Sequence, residues 1–168
     1  SSRMGTDKAL VPWQGVPMAS RVAAALDEAG CNPVVAIGGD TQALSALGFD
    51  VVADSWPGEG PLGGVITALR HLPGAVVMVV SCDLPRLSPD TVRIVLAALG
   101  DSEASVPLTD RPEPLCAAWS RAALPALEVA FEQGERSLRG VLDRIQVVHP
   151  KVDPQDLTNV NTPRDLRD

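Results

Sequence analysis

An α/β fold with a mostly parallel, twisted sheet is predicted by three observations. Short Val-rich runs recur along the chain, helical patterns stopped by glycine alternate with them, and carboxylates stand at the ends of two of the runs. A helix is predicted from Pro17 to Ala29, stopped by Gly30, and a strand over Pro33–Ile37 (PVVAI). Thr41–Leu47 reads as a helix stopped by Gly48, and Asp50–Ala53 (DVVA) as the next strand. Leu62–Leu72 reads as a third helix and Ala75–Cys82 (AVVMVVSC) as a strand. Ser88 and Pro89 supply an N-cap and a first helical position, so a helix is predicted over Ser88–Leu99, ended by Gly100. Ala104–Pro107 follows as a strand. Runs this continuously apolar suit strands covered on both faces, so these four are expected to lie parallel. Leu115–Trp119 and Gln146–His149 read as further strands, and Ala122–Gln133 and Ser137–Ile145 as helices around them. Thr162-Pro163-Arg164-Asp165 opens a last helix.

The 168 residues, 45% hydrophobic and 21% charged, suit one domain spanning 1–168 with a single sizeable core. A formal charge of -7 argues against a broad nucleic-acid-binding surface, which needs a basic footprint. An anionic ligand must therefore be held locally, by a few Lys or Arg, backbone amides or a metal cation. The apolar run Ala75–Val80 is far short of a membrane span and no secretory leader pattern precedes it, so a soluble, cytoplasmic protein without membrane partners is expected. Cys31, Cys82 and Cys116 are odd in number and widely spaced, which fits free thiols better than a disulfide framework or a zinc site. Only His71 and His149 are present, neither at ligand spacing, and no nucleophile elbow occurs, so Ser/His/Asp hydrolysis is not indicated.

Three stretches could carry chemistry. In SSRMGTDKAL, Arg3 and Lys8 flank a turn at Gly5, which reads either as a solvated basic segment or as the back half of a phosphate-binding loop. Asp83 follows AVVMVVSC directly, at the carboxyl end of a central strand, where open α/β sheets gather ligands. It serves either to cap the next loop or to hold Mg²⁺ against phosphate oxygens. The glycine-rich turn Trp56–Gly64 (WPGEGPLGG), preceded by Asp54, feeds a helix whose exposed amides could approach a base or phosphate; the alternative is a tight loop beside a solvated acid.

With these pieces in order, the chain resembles the molybdenum cofactor guanylyltransferase family from residue 1 to its last helix. Arg3-Met4-Gly5-Thr6-Asp7-Lys8 is similar to the family's RMGxDK loop and Gly60-Pro61-Leu62-Gly63-Gly64 to its GPLxG turn. Cys82-Asp83-Leu84-Pro85 resembles its CDxP metal site, and Asn159-Val160-Asn161-Thr162-Pro163 its NxNTP segment, with Gly134-Glu135-Arg136 upstream. The first three motifs are shared with cytidylyl and sugar-phosphate transferases; the last is the most discriminating.

The resemblance implies a three-layer, Rossmann-like nucleotidyltransferase fold in which GTP and molybdopterin give a guanine dinucleotide and pyrophosphate. It implies that Lys8 and Arg3 neutralise the triphosphate and that Asp83 binds Mg²⁺. Ser1, Gly5, Asp54 and the Gly60, Pro61, Leu62 and Gly63 stretch fall at nucleotide-binding positions, and Glu135, Arg136, Asn159 and Asn161 on the acceptor side. Molybdoenzymes or chaperones are the partners implied at handover. The family's loop is preceded by a strand and LAGGxS, and Ser1 stands at that serine, so further residues are expected before it. The stretch between Val106 and Leu115 is short for the family. Cytidylyl or sugar-phosphate transfer, and a non-catalytic molybdopterin carrier, remain the alternatives.

Overall fold

The computed structural model describes residues 7–160. The helix expected from Thr162 lies outside them, as do Ser1, Arg3, Gly5 and Asn161. A 3-10 turn at Lys8–Leu10 leads into a small antiparallel hairpin of β1 (Pro12–Trp13) and β2 (Val16–Pro17). Its two-residue turn, Gln14-Gly15, has φ of 49° and 79°, the left-handed backbone that matches strand twist in tight hairpins. Then follow α1 (Met18–Glu28), β3 (Val35–Ile37), α2 (Thr41–Ala46), β4 (Asp50–Val52), α3 (Pro61–His71) and β5 (Val76–Val80). The second half holds α4 (Pro89–Ala98), β6 (Ala104–Ser105), β7 (Cys116–Ser120), α5 (Leu124–Glu132) and β8 (Val147–Val148).

The layers can be read from side-chain alternation along the two longest strands. Val77 and Val79 of β5, with Ala117 and Trp119 of β7, pack into a cluster with Leu62, Ile66 and Leu69 of α3 and Leu127 and Phe131 of α5. Met78 and Val80, with Cys116, face the other way onto Val22 of α1 and Val92 of α4. Successive residues of a strand point to opposite faces, so this split makes a sheet covered by helices on both sides. Leu62, Ile66 and Leu69 are fully buried, each contributing roughly 1.5–3 kcal/mol by leaving water.

β3 and β4 are parallel, and so are β6 and β8. β7, by contrast, lies between β5 and β6 and pairs antiparallel with both. The connection explains the reversal. From β6 to β7 the chain makes a short excursion closed by a bridge between Leu108 and Pro112, without the helix that a parallel return requires. The segment expected as a helix over Ser137–Ile145 is instead a 3-10 turn, Arg139–Arg144.

Among the described residues no strand joins β3 to β5, and the space of about 360 Å³ between their facing edges is lined by Val35, Ile37, Val77 and Val79 and by Val22 and Leu26 of α1. No helix of the described residues is long and apolar enough to cross a membrane.

Candidate active site

The residues just after β3, β4 and β5, Gly38 and Gly39, Asp54 and Cys82, line the space between β3 and β5 together with Asp7 and Gly60. Lys8 and Asp83 follow Asp7 and Cys82 in the chain. Lys8 Nζ lies 3.4 Å from Asp83 Oδ2, with the two side chains 17% and 16% exposed. The ammonium and carboxylate come from positions 75 residues apart in sequence. Ser81 Oγ donates to Asp83 Oδ1 at 2.5 Å, which fixes the carboxylate's orientation, and the Asp83 carbonyl accepts Val160 N–H at 2.9 Å.

Lys8 is held by the residue before it. Asp7 Oδ1 caps the 3-10 turn by accepting Ala9 N–H at 3.1 Å, and its Oδ2 accepts Asp40 N–H at 3.0 Å. Asp40 in turn caps α2 by accepting Ala43 N–H at 3.0 Å. The lysine loop is thereby tied to the carboxyl end of β3. Gly39, at φ +82°, is pressed against this tie, since a Cβ there would stand 3.0 Å from Asp7 Oδ2. Sequence reasoning passed over Asp7, Ser81 and the Gly38-Gly39 pair. A diglycine directly after an apolar strand was the available signal.

The glycine-rich turn forms as expected and opens α3. Gly60 is its N-cap and Pro61 the first helical residue. The Leu62 side chain is fully buried in the core, and its N–H points to the Arg136 carbonyl at 3.3 Å. What this residue can offer a ligand is therefore position, not side chain. The Gly63 carbonyl accepts the Thr67 hydroxyl at 2.9 Å. Asp54 follows β4 and turns back on its own loop, where Oδ1 accepts Trp56 N–H at 3.0 Å and lies 3.3 Å from Thr67 Oγ1.

Glu135 and Arg136 are brought to the glycine-rich turn that opens α3. The Arg136 guanidinium stacks 4.0 Å from the Phe131 ring centre, donates to Glu59 at 2.7 Å and to the Phe131 carbonyl at 2.7 Å. The Glu135 carboxylate accepts N–H bonds from Arg136 and Ser137, both at 2.8 Å, and these hold its pKa below the ordinary carboxylate value. Asn159 is exposed on a separate segment beside Asp83, through the bond made by Val160. No contact among the described residues joins Glu135 or Arg136 to Asn159.

Burial, reinforced by Asp83 and Asp7, pushes the Cys82 thiol up to about 11, and burial pushes that of Cys116 to about 12. All three cysteines are free. Neither of these two is a nucleophile near neutral pH, because the thiolate is the reactive form. No group of three or more His, Cys, Asp or Glu among the described residues is arranged to enclose a metal. A single carboxylate oriented by a hydroxyl fits Mg²⁺ all the same, since that ion keeps waters and takes most of its other ligands from substrate phosphates.

The architecture defines the class. The chain superposes on the crystal structure of molybdopterin-guanine dinucleotide biosynthesis protein A from Archaeoglobus fulgidus with a TM-score of 0.80 and 27% identity, covering 99% of this chain and 90% of that one. It shares its fold with 2-C-methyl-D-erythritol 4-phosphate cytidylyltransferase from Thermus thermophilus, at a TM-score of 0.76, 18% identity and coverage of 95% and 90%. This is the α/β fold of nucleotidyltransferases.

The model of the MobA-like NTP transferase domain matches residues 1–149, and the chain belongs to that family of enzymes. It is 33% identical to the molybdenum cofactor guanylyltransferase of Pseudomonas putida over 169 residues, covering 98% of this chain and 88% of the relative. It is 36% identical to a probable molybdenum cofactor guanylyltransferase of Deinococcus radiodurans, with coverage of 99% and 86%.

Proposed function

We propose that this protein transfers GMP from GTP to the terminal phosphate of molybdopterin, forming molybdopterin guanine dinucleotide and releasing pyrophosphate. The observation that carries this reading is the Lys8–Asp83 pair, whose chain neighbours Asp7 and Cys82 line the same space as Gly60 and Pro61 of the turn that opens α3. A phosphate oxygen of the acceptor attacks the α-phosphorus of GTP. A new P–O bond forms, the bond to the β-phosphate bridge breaks, and the electron pair leaves with pyrophosphate. The nucleophile is already an anion, so no general base is required, in keeping with a site that presents a lysine, a carboxylate and backbone amides.

Lys8 and Arg3 neutralise the triphosphate, and Lys8 stabilises charge on the departing pyrophosphate. Ser1 and Gly5 belong to the same loop. Asp83 would hold Mg²⁺, which would supply positive charge to offset the negative charge of the phosphates. Asp54 and the Gly60–Gly63 backbone shape the nucleotide pocket. Asn159 and Asn161 hold the phosphorylated pterin on the acceptor side, while Glu135 and Arg136, engaged at the turn that opens α3, support the pocket from there. The product passes in the cytoplasm to a molybdoenzyme or its chaperone.

Replacing Asp83 by Asn tests the assignment. Turnover at saturating GTP should fall by about 100-fold or more, the scale of losing one preorganised electrostatic contact, while GTP binding weakens far less. Unchanged turnover would remove Asp83 from the chemistry.

A further inference from the structure

The segment carrying Asn159 reaches Asp83 from the far end of the chain, and two ties seat it. One is the bond from Val160 N–H to the Asp83 carbonyl at 2.9 Å. The other lies four residues earlier, where Asp156 Oδ2 accepts from Ser88 N–H at 3.3 Å, from the Ser88 hydroxyl and from Thr91 Oγ1 at 2.6 Å. Both ties end on the same stretch, because Ser88 is the N-cap of α4, the helix that begins just after the Asp83 loop. Between them Leu157 is buried against Leu84 and Leu87, the two apolar residues of that loop. The residues from 156 to 160 are thus fixed at both ends to the stretch from Asp83 to Thr91.

We propose that Asp156 is a positioning residue for acceptor binding, holding Asn159 at a set place relative to Asp83. The inference rests on the guanylyl-transfer reading of the site. A carboxylate is suited to the task because one oxygen takes several donors, two of them hydroxyls. The Ser88 hydroxyl gives its only hydrogen to Asp156 while accepting Thr91 N–H at 3.1 Å, so the helix cap and the tie share one atom. Thr91 is 3% exposed, and a hydroxyl buried there without a partner would be costly. The negative charge also lies at the positive end of the α4 dipole. Asp156 touches no substrate in this scheme. It acts through the placement of Asn159.

The Asp156→Ala variant removes the accepting oxygen, so the Ser88 and Thr91 hydroxyls lose their partner. With the full chain, the KM for molybdopterin should rise about tenfold while the KM for GTP stays within about twofold, a displacement effect confined to one substrate. Amide hydrogen exchange over residues 157–160 should accelerate in the same variant, and Thr91→Val, which removes one donor and keeps Asp156, should show a smaller acceleration. Wild-type protection of residues 157–160 in Asp156→Ala would overturn the proposal, as would an equal rise in both KM values. If Asp156→Ala does not fold, wild-type protection of that segment in Thr91→Val overturns it instead. A wild-type protein that transfers no nucleotide would refute the guanylyl-transfer reading, and the exchange measurement would still decide whether Asp156 seats the segment.

Discussion

At the scale of single residues, the proposed site sets one lysine in a fixed place within a chain of net charge -7. Lys8 is kept in place by Asp7 below it and faced by Asp83, so its charge is local and oriented. Both charged residues were legible in the sequence, because their types and their places after a loop and a strand have chemical meaning. The orienting bonds from Ser81 and to Asp7 were not. They depend on which backbone amide or carboxylate the fold brings within 3 Å, and spacing along the chain carries no such information.

Glu135 offers a pH test at this scale. Its folded pKa lies below the ordinary 4.5 because the charged form accepts two backbone N–H bonds. The fold therefore binds fewer protons than the unfolded chain near that pH. The contribution of Glu135 is complete above the unfolded value and is lost as pH falls through the folded one. Thermal denaturation of Glu135→Gln should lie closest to wild type below pH 4 and fall short of it at pH 7. A variant equal to wild type at both would show that the turn does not depend on the carboxylate.

At the scale of elements, α3 fits tightly onto the Arg136 segment. Gly60 has φ +89° and ψ 172°, a region open in practice to glycine alone, and a Cβ would lie 2.8 Å from the Arg136 carbonyl. Gly60→Ala should lower stability by roughly 1–3 kcal/mol and raise the KM for GTP, read by denaturant unfolding and by initial rates. No change in either would mean that the turn can relax. The GPLGG turn was read from its glycines, and the Ser88 cap from its Ser-Pro pair, because such signals are local. The helix expected over Ser137–Ile145 is of the 3-10 form, over Arg139–Arg144, and apolar periodicity does not distinguish one short helical form from another. The β1–β2 hairpin escaped notice because each strand has two residues and both contain proline.

The antiparallel direction of β7 was also hidden. Its composition, CAAWS, is that of any buried strand, and direction is decided by whether the preceding connection has room for a helix. Glu135 and Arg136 show the same limit for function. Their motif implies a role, whereas only the fold shows that the Arg136 guanidinium is engaged with Glu59 and the Phe131 carbonyl beside the turn that opens α3.

At the scale of the whole molecule, helices cover both faces of the sheet, and the candidate site lies after the ends of β3, β4 and β5, among glycines and carboxylates. Class was legible because alternation of strands and helices is a property of the entire chain. The fold brings Lys8 to Asp83, and the segment ending at Val160 reaches the same Asp83 from another part of the chain. That two substrates meet at Asp83 is our proposal.

Its most direct test is product formation by the protein with Mg²⁺, molybdopterin and either GTP or CTP, with products identified by mass and pyrophosphate measured in parallel. Molybdopterin guanine dinucleotide and equimolar pyrophosphate, formed with GTP and dependent on the pterin, is the predicted result. Formation of the cytosine dinucleotide in preference, or no pyrophosphate release with either nucleotide, would contradict it.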